Sequence, residues 1–153
     1  MWEIRLITVG KTKDREIRRG LERFGTMVAG EWKLTVEHVP ASHDPRPGKR
    51  RLQEGASLLK KLRPGVVGIA MDETGETLAS KAFADFLIGH KNAGRPVAFM
   101  VGGAYGLDPS VLEECARTVS LSPMTLSHEL SALVLAEQIY RAYAAWSHKD
   151  YAK

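Results

Sequence analysis

Apolar positions in this chain alternate between two kinds of period. Trp2 to Val9 is a compact β-type run closed by Gly10. Ile17, Leu21, Phe24 and Val28 then recur at helical spacing, which predicts a helix over about 13–29 with Thr12 as its cap. Leu34 to Val39 alternates and predicts a second strand. The segment Pro40-Ala41-Ser42-His43-Asp44-Pro45-Arg46-Pro47-Gly48 is dense in turn formers and is expected to be the most mobile part of the chain. Lys49 to Leu62 places Leu52, Ala56, Leu59 and Leu62 on one helical face, and Pro64-Gly65 stops it.

The second half continues the alternation. Val66 to Met71 is wholly apolar, as in strands buried on both faces of a parallel sheet. A helix follows over 78–91 with Ser80 as cap, then a strand over 96–101. A short helix spans 109–117, with Asp108 at the cap position and Pro109 in the first turn. Val119 to Leu121 is a brief strand, and His128 to Trp146 is the last helix. Strands alternating with helices predict an α/β fold on a parallel sheet, with ligands beyond the carboxyl ends of its strands. The last helix is apolar nearly all round, with only Glu137 and Arg141 charged between Leu130 and Trp146. Such a helix is buried on two sides. The second side is expected to be a partner subunit, with a central core helix as the alternative.

Length and composition narrow the picture. The 153 residues suit a single domain, residues 1–153, with a core that needs no staples. One cysteine, Cys115, excludes an internal disulfide and a cysteine-built zinc site, and the five histidines show no metal-ligand spacing. No run reaches the roughly 18 apolar residues of a membrane span, and the N-terminus lacks a signal-peptide pattern. A soluble, cytoplasmic protein without metal is expected.

Charge adds a partner class. Residues 1–63 carry 15 Lys and Arg against 8 Asp and Glu, a net of +7, whereas residues 64–153 carry 7 against 10, a net of −3. The basic half points to a polyanion. Arg15, Arg19 and Arg23 on the first helix, and Lys49, Arg50 and Arg51 on the second, are the candidate phosphate contacts.

Chemistry-bearing segments lie where strands end. Gly102-Gly103-Ala104-Tyr105-Gly106 follows a strand and gives a ligand close approach to backbone. Its spacing is neither the dinucleotide fingerprint nor a phosphate-binding loop. Leu121-Ser122-Pro123-Met124-Thr125-Leu126 is an apolar loop with hydroxyls, able to wall a ligand. Met71-Asp72-Glu73-Thr74-Gly75 closes a buried strand, and His128 opens the last helix.

Five motifs in order carry a resemblance. They are Thr8-Val9-Gly10-Lys11; Ala70-Met71-Asp72 with Thr74-Gly75; Val101-Gly102-Gly103-Ala104-Tyr105-Gly106-Leu107; Ser120-Leu121-Ser122-Pro123-Met124-Thr125-Leu126; and Ala136-Glu137-Gln138-Ile139-Tyr140-Arg141-Ala142-Tyr143. In this order, over essentially the whole chain, they resemble the RlmH family of the SPOUT superfamily. The resemblance implies a parallel-sheet α/β fold with a C-terminal trefoil knot, a homodimer, and S-adenosylmethionine as methyl donor. It implies methylation of N3 of a pseudouridine in 23S ribosomal RNA, on the large subunit or the assembled ribosome. It places the cofactor on Met71, Gly102, Leu121, Ser122, Pro123, Met124, Thr125 and Leu126. The family ends in a Tyr-His-Arg/Lys element where this chain has Tyr151-Ala152-Lys153, and many members carry arginine where this chain has Ala132. His128, Asp72, Glu129 and Tyr151 therefore stand as candidates for the catalytic role, with Lys153 as a further RNA contact. The two departures define the alternative: a catalytically weakened SPOUT-fold module that binds RNA or ribosomes.

Overall fold

The computed structural model describes residues 1–151. Its ten elements alternate: β1 (Trp2–Val9), α1 (Arg15–Met27), β2 (Trp32–Val39), α2 (Pro47–Lys61), β3 (Val67–Thr77), α3 (Ser80–Asn92), β4 (Val97–Val101), α4 (Pro109–Glu114), β5 (Arg117–Ser120) and α5 (His128–Trp146). The strands form one all-parallel sheet in the order β2-β1-β4-β3-β5.

Side-chain parity divides the core between the two faces. Ile4, Leu6, Val97, Phe99 and Ile69 pack with α1, α3 and α5 on one face. Ile7, Val9, Ala98, Met100 and Ala70 pack with Leu58 of α2 and Val111 of α4 on the other. Helices on both faces explain why β3 up to Met71 and β4 read as continuous apolar runs rather than alternating ones.

α5 lies on the sheet between α1 and α3. Its apolar circumference is therefore covered largely by the chain's own helices. For the expected partner subunit these neighbours leave only the open part of the helix, such as Leu130 at 40% exposure. Ala132, Leu135, Ala136, Ile139, Ala142, Tyr143 and Ala144 are all buried within the chain, and the central-helix alternative accounts for them.

Several boundaries move for local reasons. Asp14, not Thr12, caps α1, accepting from the N–H groups of Glu16 at 2.9 Å and Ile17 at 3.0 Å. Ser80 begins α3 but makes no side-chain cap, the cap position being Ala79. α4 stops at Glu114 because the chain extends into β5, with Ala116 N–H donating to the Gly68 carbonyl at 2.9 Å. The 40–48 segment, expected to be mobile, is tied down. Ser42 N–H donates to Glu54 Oε2 at 2.9 Å, Arg50 Nε donates to the Ser42 carbonyl at 2.7 Å, and Arg46 N–H donates to Asp44 Oδ1 at 2.9 Å.

The largest departure is β3, which runs six residues past Met71. Val119 of β5 pairs with both Met71 and Glu76, so residues 72–75 bulge out of the ladder. Gly75 permits this. A Cβ there would lie 2.7 Å from the Thr118 carbonyl carbon. The bulge lifts Asp72 and Glu73 to the carboxyl edge of the sheet, where the site is built.

Candidate cofactor and substrate cleft

The carboxyl ends of β3, β4 and β5 open into one cleft of about 490 Å³. Met71, Asp72 and Glu73 form one wall, the 101–107 turn a second, and the 120–126 loop with His128 and Ser131 a third. Its volume falls within the roughly 300–1,000 Å³ of small-molecule sites.

Each wall is preformed. The glycine turn closes as a tight hairpin, with Gly106 N–H donating to the Gly103 carbonyl at 3.0 Å and Gly106 at φ +80°. Gly102 is obligatory, because a Cβ would sit 2.7 Å from the Gly106 carbonyl carbon. In the loop, Ser120 Oγ donates to the Ser122 carbonyl at 2.9 Å, and Met124 N–H donates to Ser122 Oγ at 2.9 Å. In the bulge, the Asp72 carboxylate accepts from both the N–H and the hydroxyl of Thr74. Thr125 Oγ1 donates to Glu73 Oε2 at 3.0 Å and so ties loop to bulge.

These walls fit S-adenosylmethionine. Met71, Val101, Leu107, Leu121 and Leu126 offer an apolar lining, and the side-chain-free turn brings peptide groups to the surface, as recognition of a purine edge and a zwitterion requires. Of the eight residues expected at the cofactor, seven line this cleft: Met71, Gly102, Leu121, Ser122, Met124, Thr125 and Leu126. Pro123 does not line it and lies exposed in the loop. Glu73, Tyr105, Leu107 and Ser131 also line it without having been singled out as site residues. Glu73 was legible only as part of a strand end, because nothing in the sequence announces a bulge.

The catalytic candidates separate. His128 and Asp72 line the cleft. Glu129 does not. Its Oε1 accepts from the N–H groups of Lys13 at 2.7 Å and Asp14 at 3.0 Å, anchoring the start of α1. Tyr151 lies away from the cleft of its own chain. Its hydroxyl donates to Glu137 Oε1 at 3.1 Å, and burial together with the Glu137 carboxylate raises its pKa. Ala132 is 2% exposed, so the position where the resemblance expects arginine is a core position here. Ala152 and Lys153 lie outside the described residues.

The basic residues sort by edge. In a parallel sheet the helix after each strand starts at the carboxyl edge. Arg15 and Arg19 in the first turns of α1, and Lys49, Arg50 and Arg51 in the first turns of α2, therefore share that edge from opposite faces of the sheet. Arg51 lines the cleft itself. Arg23 sits further down α1. Cations at helix N-termini oppose the helix dipole, so this placement costs stability and creates a positive rim for an anion.

Residues 2–151 match the family described as "Predicted SPOUT methyltransferase". The chain is 33% identical over 150 residues to the ribosomal RNA large subunit methyltransferase H of Trichlorobacter lovleyi, covering 97% of this chain and 98% of the relative. The chain belongs to the SPOUT methyltransferases. It is 42% identical over 148 residues to the methyltransferase of the same name from Gluconacetobacter diazotrophicus, covering 97% of this chain and 95% of that one. Solved structures carry the same fold. A probable methyltransferase of Bordetella pertussis superposes with a TM-score of 0.62 at 16% identity, over 93% of this chain and 95% of that one. The SpoU methyltransferase AviRb of Streptomyces viridochromogenes, in complex with AdoMet, gives 0.50 at 16% identity, over 95% and 58%. As a SPOUT methyltransferase, this chain is an enzyme. Among its described residues, no group of three or more His, Cys, Asp or Glu is placed to hold a metal ion. No helix among them is long and apolar enough to cross a membrane.

Proposed function

We propose that this chain methylates N3 of a pseudouridine in 23S ribosomal RNA, using S-adenosylmethionine held in the cleft. The full-length match to relatives named for methylation of the ribosomal RNA large subunit carries the proposal. The positive rim around the cleft supports it.

When bound, S-adenosylmethionine supplies an electrophilic methyl group on a sulfonium. The chain's own residues do the rest. The glycine turn and the 121–126 loop fix the donor, while Leu107, Leu121 and Leu126 keep water from it. The target nitrogen is a weakly acidic imide, so its proton must leave as the N–C bond forms. Of the four candidates, His128 is the one both placed in the cleft and free of the structural duty seen at Asp72, Glu129 and Tyr151. It accepts the proton. Asp72 holds the bulge through Thr74, and Glu129 holds α1.

The chain acts as one domain, residues 1–153, in the cytoplasm. Its trefoil knot lies in the segment that joins the glycine turn, the 121–126 loop and α5. Two copies pair as a homodimer. Met124 at 75% exposure and Leu130 at 40%, beside the cleft mouth, are apolar surface that a second copy would cover. A shared site also explains why Tyr151 lies away from its own cleft.

Ribosomes lacking the modification, incubated with methyl-labelled cofactor, are expected to take label at one pseudouridine of the 23S RNA. His128→Ala is expected to lower kcat by about 10²-fold or more while cofactor affinity by calorimetry holds. Absence of label with retained ribosome binding would instead favour the weakened binding module.

A further inference from the structure

Tyr105 is a large aromatic residue that the cleft leaves in view. It is 48% exposed at the tip of the glycine hairpin, where Gly103 and Gly106 pair across the turn. The Arg50 guanidinium lies 5.3 Å from its ring centroid. That cation is held in place, since Arg50 Nε donates to the Ser42 carbonyl and Ser42 N–H donates to Glu54 Oε2. Glu54 is 4% exposed, and its other oxygen is 3.2 Å from where a Gly103 Cβ would stand. One buried carboxylate thus sits between the loop that holds Arg50 and the hairpin that holds Tyr105. Arg51, the next residue of α2, lines the cleft.

A core role for Tyr105 would bury it, and a plain turn needs no ring. An exposed aromatic with a fixed cation against it, at the rim of a cleft with a second arginine, is how unpaired nucleobases are gripped. The ring stacks on the base, and the arginines meet the backbone.

We propose that Tyr105, backed by Arg50, is a stacking platform for an unpaired base next to the target nucleotide, with Arg51 on its phosphate. This rests on the RNA substrate proposed above. It adds a base-binding role at the rim of that cleft, where the exposed Tyr105 ring and Arg51 of α2 stand beside the turn backbone assigned to the cofactor.

The test uses the full chain and three variants, Tyr105→Ala, Tyr105→Phe and Arg50→Ala. Three quantities are measured: KM and kcat for unmodified ribosomes, cofactor affinity by calorimetry, and affinity for a short labelled single-stranded RNA by anisotropy. Tyr105→Ala is expected to raise the ribosome KM and weaken the RNA oligonucleotide by about tenfold each, with a smaller change in cofactor affinity. Tyr105→Phe, which keeps the ring, is expected to recover most of both losses, and Arg50→Ala to show an intermediate loss. Unchanged KM and oligonucleotide affinity in Tyr105→Ala would overturn the platform. So would a loss confined to cofactor affinity, which would place the ring on the methyl donor. The oligonucleotide arm needs no turnover. If the wild-type chain transfers no methyl group to ribosomal RNA but the ring-dependent affinity remains, the platform stands and the methylation target falls.

Discussion

Arg5 points from β1 into the face covered by α2, at 1% exposure. It donates from Nε and Nη2 to Glu37 at 2.6 and 2.9 Å, and from Nη1 to the Lys61 carbonyl at 2.8 Å. The Arg5 hydrogen bonds hold the Glu37 carboxyl below its ordinary value of 4.5, against the opposing effect of burial. A depressed carboxyl contributes stability above its unfolded pKa and loses it as pH falls through the folded one. Glu37→Ala should therefore strand a buried cation, costing about 3–5 kcal/mol in urea unfolding at neutral pH. The gap between wild type and variant should narrow below about pH 4. A gap that stays constant with pH would mean the pair is not the source.

At the scale of elements, Glu129 joins α5 to α1 with one carboxylate oxygen on two backbone N–H groups. Its neighbour His128 lines the cleft. The anchor therefore sets the basic first turn of α1 beside the site. Glu129→Ala should raise the ribosome KM about five- to tenfold, by freeing that turn, while kcat changes less than for His128→Ala. Glu129→Gln, which keeps an acceptor, should recover most of the effect. If Glu129→Gln instead loses kcat as His128→Ala does, the carboxylate has a direct role in proton transfer.

Over the whole molecule, the cations divide between two edges of the sheet. Arg15, Arg19, Lys49, Arg50 and Arg51 belong to the carboxyl edge, whereas Lys60 and Lys61 end α2 at the opposite one. Under the proposed function the first group meets RNA phosphates, and such contacts release counterions. Arg15→Ala with Arg19→Ala should therefore flatten the salt dependence of ribosome binding by about 1.4 in log–log slope. Lys60→Ala with Lys61→Ala should leave the slope near that of wild type. Equal flattening by both pairs would indicate a diffuse field rather than a directed rim.

Strand and helix order was legible in the sequence because period-2 and period-3.6 patterns are local and each apolar face must be buried. The glycine turn and the 121–126 loop were legible for the same reason, since close backbone approach leaves a residue-level mark. Tertiary structure alone decided the rest. The 72–75 bulge depends on β3 pairing twice with Val119 of β5, a contact more than forty residues away in sequence. The covering of α5 depends on α1 and α3 meeting it across the sheet. Glu129, expected as a catalytic candidate, became an anchor because folding brought it to Lys13, 116 positions away. Composition fixed how much charge the first half carries. Parallel topology decided which of those charges share the edge where the cleft opens, because it starts every crossover helix at the same edge of the sheet.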